Sequence, residues 1–144
     1  MRIVIQRSGK SSVSVNGEVV GEIKKGLVLL VCLEKEDTSE TVKKAAQKIL
    51  SMRLFEDENQ KMNKSILETN GQILAISQFT LSWRGLKGNR PSFDRSMPPE
   101  MAEDLFNKFT KLLSLSTNVA TGVFGAAMDV KINNLGPVTF SLDF

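Results

Sequence analysis

The most constraining feature of the chain is an uninterrupted apolar run, G-L-V-L-L-V-C-L, from Gly26 to Leu33. The run carries no helix-capping residues, and it is far shorter than the roughly 18 residues that cross a bilayer. A run of this kind predicts a central strand that is buried on both faces. A second run, Gln72 to Leu81, predicts another largely buried strand. We therefore expect the chain to fold around a buried sheet.

Alternating apolar residues predict shorter strands around these two. Asn16-Gly17 lies between two alternating runs and predicts a hairpin, because both residues tolerate positive φ. The polar segment from Glu56 to Lys64 predicts a turn. The remaining predicted strands are marked by Ile3 and Ile5, by Met128, Val130 and Ile132, and by Val138, Phe140, Leu142 and Phe144.

Two segments have helical spacing. The first is predicted to begin with Asp37 as its cap and Glu40 as the acid of a capping box, and the second at Pro98-Pro99-Glu100. Their apolar stripes are Val42, Ala45, Ala46, Ile49 and Leu50 in the first, and Met101, Leu105, Phe109, Leu112 and Leu113 in the second. The predicted fold is a single α/β domain over residues 1–144. Its sheet is mostly antiparallel or mixed and curled like a barrel, with two main amphipathic helices outside.

The composition excludes several kinds of catalytic site. The chain has no histidine and no tyrosine, so Ser-His-Asp and Cys-His catalysis and histidine-ligated metals are excluded. Its one cysteine, Cys32, rules out an intrachain disulfide and a multi-cysteine zinc site, and we interpret it as a small buried hydrophobe. A general base must therefore be a carboxylate, a lysine, the backbone or the substrate itself.

The bulk properties indicate a protein of the cytoplasm. No apolar run is long enough to span a membrane, and the first residues, M-R-I-V-I-Q-R, lack the layout of a signal peptide. The net charge of +3 permits an anionic partner without requiring one.

The first candidate site is the segment Ser77-Gln78-Phe79-Thr80. Three hydrogen-bonding side chains follow an apolar strand within four positions, so Ser77 or Thr80 is a candidate nucleophile and Gln78 a candidate orienting group. The alternative is that these are ordinary strand-end residues bonded to local backbone. A nucleophilic hydroxyl would also need a base, and the sequence offers none nearby.

The second candidate is the basic loop, which we define as residues 83–95. It contains four basic residues, Arg84, Lys87, Arg90 and Arg95, against one acid, Asp94. Its glycines and aromatic residues suit close contact with a nucleic-acid phosphate or ribose, and its glycine spacing is not that of a P-loop. The alternative interpretation is a solvated basic loop.

The third candidate is the pair Gly136-Pro137, immediately before the last predicted strand. It is either a turn that begins a strand or a rigid backbone device. In the second case its carbonyls would test the shape of a ligand without using a side chain.

Taken together, these segments resemble the D-aminoacyl-tRNA deacylases of the bacterial and eukaryotic type that carries a Gly-cisPro motif. The resemblance covers the whole chain in order, with almost no gaps. Its motifs are I-V-I-Q-R (3–7), R-L-F-E-D-E-N-Q-K-M-N (53–63), S-Q-F-T-L (77–81), K-G-N-R-P-S-F (87–93), T-G-V-F-G-A-A-M (121–128) and G-P-V-T (136–139).

The resemblance implies a homodimer that hydrolyses the ester of D-aminoacyl-tRNA and of glycine mischarged on tRNA for alanine. It implies no metal and no organic cofactor. The active site would lie at the dimer interface, where Ser77 to Thr80 of one subunit meet Gly136 and Pro137 of the other. The Gly136-Pro137 peptide bond would be cis, its carbonyls would exclude an L side chain, and Arg7 would support the motif. Arg84, Lys87 and Arg90 are the expected tRNA contacts.

The sequence leaves two mechanisms and several functions open. In one mechanism the tRNA 2′-hydroxyl would assist an attacking water while N–H groups near Phe79 and Thr80 hold the oxyanion. In the other, the Thr80 hydroxyl would attack the ester and form a covalent intermediate. Besides the deacylase, the sequence allows a non-catalytic RNA-binding module, an esterase with Thr80 as nucleophile, and a structural dimer without a site. Departures from the family pattern fall at Leu135, at Cys32 and at S-W-R-G-L (82–86).

Overall fold

The computed structural model describes residues 1–85 and 88–144. It contains helices α1 (Ser39–Ser51) and α2 (Pro99–Ser114) and a short 3₁₀ turn (Phe79–Ser82). Its strands are β1 (Arg2–Ser8), β2 (Ser11–Val15), β3 (Glu18–Ile23), β4 (Gly26–Cys32), β5 (Arg53–Glu56), β6 (Met62–Ser65), β7 (Gln72–Ser77), β8 (Val119–Thr121), β9 (Asp129–Lys131) and β10 (Asn134–Asp143).

The central sheet has five strands in the order β10-β1-β4-β7-β8. Strand β4 is the middle strand, as its apolar sequence predicts, and nearly all of its side chains are buried. It pairs antiparallel with β1 and parallel with β7, so the sheet is mixed. The parallel pairing brings the carboxyl ends of β4 and β7 to the same edge, where Val31 lies opposite Ser77.

The two faces of this sheet are covered by different layers. On one face, Leu27, Leu29 and Val31 of β4 pack into a core shared with α1 and α2. On the other face, Val28 packs against a second sheet, β3-β2-β9. The predicted α/β class with a mixed sheet and two outer helices is thus confirmed. Within the described ranges the sheets remain separate, so the barrel-like closure is wrong.

The beginning of α1 differs from its prediction. The cap is Thr38, whose hydroxyl accepts from the Thr41 N–H, and Thr41 completes the capping box in return. Asp37 instead accepts the Glu34 N–H at 2.6 Å, because a short turn folds it back towards the end of β4. The predicted stripe of α1 is confirmed, with four of its side chains buried.

Helix α2 is rotated relative to its predicted stripe. Met101 is 58% exposed, while Ala102 and Phe106 face the core beside Phe109 and Leu113. The sequence stripe contains apolar residues on neighbouring faces, and only packing against α1 and the sheet selects between them.

Strands β5, β6 and β8 and the 3₁₀ turn were not predicted. Strands β5 and β6 form a hairpin around the polar turn, because Leu54 and Phe55 are buried in the main core. The second apolar run also does not continue as a strand to Leu81. It ends at Ser77, and the chain then enters the 3₁₀ turn. No described helix has both the length and the apolar character needed to cross a membrane.

Candidate active site

A cavity of about 630 Å³ opens where β4 and β7 end. Ser77, Gln78 and Phe79 line one side of it. The rest of its wall is mainly apolar and includes Val31, Leu33, Ile76, Phe93, Met97, Pro98, Pro99, Ala102, Phe124, Met128 and Val130. Concave apolar sites with a few polar groups on one side are typical of small-molecule and terminal-group binding.

The geometry of the 3₁₀ turn determines what its polar groups can do. The Gln78 N–H makes the last sheet contact, to the Val31 carbonyl at 2.7 Å, and beyond it Phe79 and Thr80 are exposed. The first N–H groups of a 3₁₀ turn have no acceptor inside the turn, and here they belong to Phe79 and Thr80. Phe79 also lines the cavity, so these two N–H groups are candidates for the paired donors that an oxyanion requires.

The Thr80 hydroxyl is held by its neighbour rather than by a base. Gln78 Nε2 donates to Thr80 Oγ1 at 2.6 Å. An amide that donates to a hydroxyl orients it but cannot take its proton. The arrangement therefore suits Thr80 as a positioned polar group better than as an activated nucleophile.

Cys32 lies beneath this turn and supports it. Its thiol is fully buried and donates to the Phe79 carbonyl at 3.5 Å. Burial, together with the negative charge of Glu34, raises the pKa of the Cys32 thiol to about 11. The thiol therefore stays protonated at neutral pH, and its interpretation as a small buried hydrophobe is confirmed.

Aromatic side chains form the mouth of the cavity. The rings of Phe79 and Phe93 meet edge to face, with centroids 5.0 Å apart. Phe124 packs at 5.9 Å against Phe106, which is buried on α2. Phe93, Met97, Phe124 and Met128 were not predicted as lining residues. They come from segments distant in sequence, although T-G-V-F-G-A-A-M was already recognisable as a motif.

The basic loop is not uniformly available to a ligand. Arg84 is directed inwards: its Nη2 lies 3.0 Å from both carboxylate oxygens of Glu34, and its Nη1 lies 3.3 Å from Asp143 Oδ1. Arg90 is exposed. Lys87, the third expected tRNA contact, lies outside the described residues.

The Gly136-Pro137 pair protrudes from the edge of the central sheet. The peptide bond between these residues is cis, and both residues are exposed. Gln6 of β1 pairs with Thr139 of β10, and Ser8 pairs with Asn134. The four residues 135–138 of β10 therefore lie opposite the single residue Arg7 of β1. The chain must therefore bulge outwards at this point.

Two side chains hold the bulge. Arg7 Nε donates to the Leu135 carbonyl at 3.2 Å, and its Nη1 donates to the Leu54 carbonyl at 3.1 Å. Asn134 Oδ1 accepts the Val138 N–H at 3.1 Å, closing the other side. Because Arg7 bonds the backbone of residue 135, the Leu side chain at this position leaves the contact intact.

The two clusters lie far apart within one chain. Across the sheet, Ser77 is level with Val31, Ile3 and Leu142. Pro137 precedes Leu142 by five positions, and β10 is three strands away from β7. A strand rises about 3.3 Å per residue, and neighbouring strands lie about 4.8 Å apart, so the distance between Ser77 and Pro137 is on the order of 20 Å. A small ligand group therefore cannot contact both clusters of the same chain.

The sequence matches the family described as D-Tyr-tRNA(Tyr) deacylase over residues 4–143. A protein from Listeria innocua named D-aminoacyl-tRNA deacylase is 53% identical over 144 residues, which span 99% of this chain and 96% of that protein. The chain belongs to the D-Tyr-tRNA(Tyr) deacylase family. Another relative of that name, from a Sulfurihydrogenibium species, is 50% identical over 99% of this chain and 97% of its own length.

Solved structures agree with this family assignment at the level of the fold. A structure titled "c-Myc DNA Unwinding Element Binding Protein" is 40% identical and superimposes with a TM-score of 0.95, covering 100% of this chain and 99% of that one. A probable eukaryotic D-amino acid tRNA deacylase is 17% identical, with a TM-score of 0.86 over 99% of this chain and 98% of that one. At that identity the second likeness concerns the fold alone.

In this deacylase-family chain, the predicted site residues fall into three groups. Ser77, Gln78 and Phe79 share the cavity, and Thr80 follows at its mouth. Gly136 and Pro137 lie in the distant bulge, and Arg7 of β1 holds it. Arg84 and Arg90 belong to neither group. No cluster of three or more potential metal ligands occurs in the ranges 1–85 and 88–144.

Proposed function

We propose that this protein, which as a member of the deacylase family hydrolyses the ester of D-aminoacyl-tRNA, spares the L form. It would act in proofreading during translation, and we therefore expect it in the cytoplasm. Glycine mischarged on tRNA for alanine would also be a substrate, because glycine has no side chain to exclude. The proposal rests on the family membership and on one structural observation.

That observation is the separation of the two motifs within one chain. Ser77, Gln78 and Phe79 line a cavity, while Gly136 and Pro137 are exposed at the other end of the sheet and are not part of its wall. A homodimer resolves this arrangement if the partner subunit's Gly136 and Pro137 reach the cavity mouth. The complete site would then be formed only by two chains.

The hydrolytic step needs little from the side chains, since an aminoacyl ester is already activated. The N–H groups of Phe79 and Thr80 would hold the developing oxyanion, and Gln78 would orient the ester through Thr80. The ribose 2′-hydroxyl of the tRNA would orient or activate the attacking water. Such a mechanism is consistent with a chain that contains no histidine.

Selection between enantiomers would come from exclusion. The bulge presents backbone carbonyls, which cannot rotate away as side chains do, and Arg7 and Asn134 hold it on both sides. A rigid wall that clashes with one enantiomer is a direct route to selectivity. An L side chain would meet the wall, whereas a D side chain or glycine would not.

Binding of the tRNA body would use the basic loop unequally. Arg90 is exposed and is proposed to contact phosphate, together with Lys87. Arg84 is ion-paired within the protein, so we expect it to position the loop rather than to bind RNA.

The test is hydrolysis of matched D-tyrosyl- and L-tyrosyl-tRNA by the purified protein, with glycyl-tRNA for alanine alongside. We expect the D-tyrosyl and glycyl esters to be cleaved and the L-tyrosyl ester to be spared. Binding of tRNA without any cleavage would favour the non-catalytic RNA-binding module. Cleavage of simple esters without regard to the tRNA would favour an esterase that uses Thr80.

A further inference from the structure

Glu34 is a buried carboxylate to which the mechanism above gives no role. It follows the central strand β4 by two positions, and its side chain is only 11% exposed. A buried charge is unfavourable unless opposite charges or hydrogen bonds compensate it. Two arginines do so: Arg84 Nη2 lies 3.0 Å from each Glu34 oxygen, and Arg95 Nε lies 3.5 Å from Oε1.

These two arginines lie at the two ends of the basic loop. At the later end, backbone bonds reinforce the attachment: the Lys35 N–H donates to the Arg95 carbonyl, and the Met97 N–H to the Leu33 carbonyl, each at 3.0 Å. At the earlier end, Arg84 is held through its side chain. Glu34 is thus one group that contacts both ends of the loop.

The loop in turn forms part of the cavity wall. Phe93 lies near its later end, lines the cavity and meets the exposed ring of Phe79 at 5.0 Å. Phe93 precedes Arg95 by two positions, so moving the later end of the loop would move Phe93 away from Phe79. The cavity would then lose one aromatic wall beside the 3₁₀ turn, while the turn itself, on β7, would remain.

We propose that Glu34 is a positioning residue for substrate binding, whose carboxylate holds both ends of the basic loop so that Phe93 walls the cavity. The inference rests on the proposed function. Glu34 acts through Arg84 and Arg95 and contacts no reacting atom. Its loss should therefore weaken binding of the substrate and leave the hydrolytic step almost unchanged.

The kinetic test compares Glu34→Gln with Glu36→Gln, an exposed glutamate two positions later in the same segment. We expect Glu34→Gln to raise KM for D-tyrosyl-tRNA on the order of tenfold, the effect of losing one charge-assisted hydrogen bond, with kcat changed less than about twofold. Glu36→Gln should leave both constants unchanged. Adding Arg84→Gln to Glu34→Gln should raise KM by less than the product of the two single effects, since both changes remove the Glu34–Arg84 contact.

A second readout does not depend on activity. Trp83 is the single tryptophan of the chain and directly precedes Arg84, so its fluorescence reports the earlier end of the loop. We expect acrylamide to quench Trp83 more strongly in Glu34→Gln than in the wild type or in Glu36→Gln. If Glu34→Gln does not fold, Arg95→Gln is the second variant, because the Arg95 side chain is 63% exposed and its replacement should not disturb the core. We expect Arg95→Gln to raise KM as well.

The outcomes separate this inference from the proposed function. A Glu34→Gln variant with unchanged KM and unchanged quenching, or one whose whole defect lies in kcat, overturns the positioning role. If the wild type cleaves no D-tyrosyl-tRNA and quenching still rises only in Glu34→Gln, the hold on the loop is supported and the proposed function fails.

Discussion

At the scale of single residues, Thr80 separates the two mechanisms. Its hydroxyl accepts from Gln78 and has no base beside it among the described residues, so we expect Thr80→Ala to lower kcat by about tenfold or less. If Thr80 were a covalent nucleophile, the same substitution would instead lower kcat on the order of a thousandfold or more. Single-turnover hydrolysis of D-tyrosyl-tRNA measures the difference, and Thr80→Ser, which keeps the hydroxyl, is the matched variant.

Gly136 is the residue whose backbone most restricts substitution at the bulge. Its φ is +125°, and a Cβ built there would lie 2.7 Å from Val138 Cγ2 and 3.1 Å from Arg7 Nη2. We expect Gly136→Ala to destabilise the fold on the order of 1–3 kcal/mol and to reduce the preference for D over L esters. Urea unfolding and paired D and L hydrolysis measure these two effects.

The control for this substitution is Gly17→Ala in the β2–β3 hairpin. Gly17 also has positive φ, +85°, but no atom of the described residues lies within 4 Å of the added Cβ. We expect it to cost about 1 kcal/mol of stability and to leave the D-to-L preference intact. Equal losses of preference in both variants would contradict a specific role for Gly136.

At the scale of elements, the bulge of β10 depends on Arg7 of β1. The Arg7 guanidinium joins the carbonyls of Leu135 and Leu54, and a lysine ammonium has neither the planar geometry nor the reach to replace both contacts. We expect Arg7→Lys to increase cleavage of L-tyrosyl-tRNA relative to D-tyrosyl-tRNA, with the fold retained. The ratio of the two kcat/KM values is the measurement.

The matched variant for Arg7 is Arg53→Lys. Arg53 lies on β5, where its Nη1 contacts Asn63 Oδ1 at 3.0 Å at the surface. Its replacement makes the same chemical change away from the bulge and should leave the ratio unaltered. A ratio that stays constant in Arg7→Lys as well would show that the bulge does not depend on this side chain.

The elements also show where local sequence is a sufficient guide. The β2–β3 hairpin forms around Asn16 and Gly17, both with positive φ, because two adjacent residues specify that turn. The β5–β6 hairpin was not predicted, since its strands are short and owe their burial to Leu54 and Phe55 in the main core. Local sequence patterns are a better guide to elements that are stabilised by their own residues than to elements that depend on packing against the rest of the fold.

At the scale of the whole molecule, the proposed site requires two chains. We therefore expect a particle mass twice that of one chain by light scattering. We also expect specific activity to fall on dilution over the same concentration range in which the dimer dissociates. Full specific activity in a protein that is monomeric under the assay conditions would exclude a site shared between subunits.

The buried central strand, the two helices, the α/β class and the family could all be predicted from the sequence, because apolar periodicity and motifs read in order specify them. The sequence also identified Ser77 to Thr80 and Gly136-Pro137 as segments of interest. Three features could be recognised only in the folded chain: these segments lie at opposite ends of one sheet, Arg84 is turned inwards onto Glu34, and Phe93 and Phe124 line the cavity. Strand order, ion pairing and cavity lining arise from contacts between residues distant in the chain, and no local pattern records such contacts.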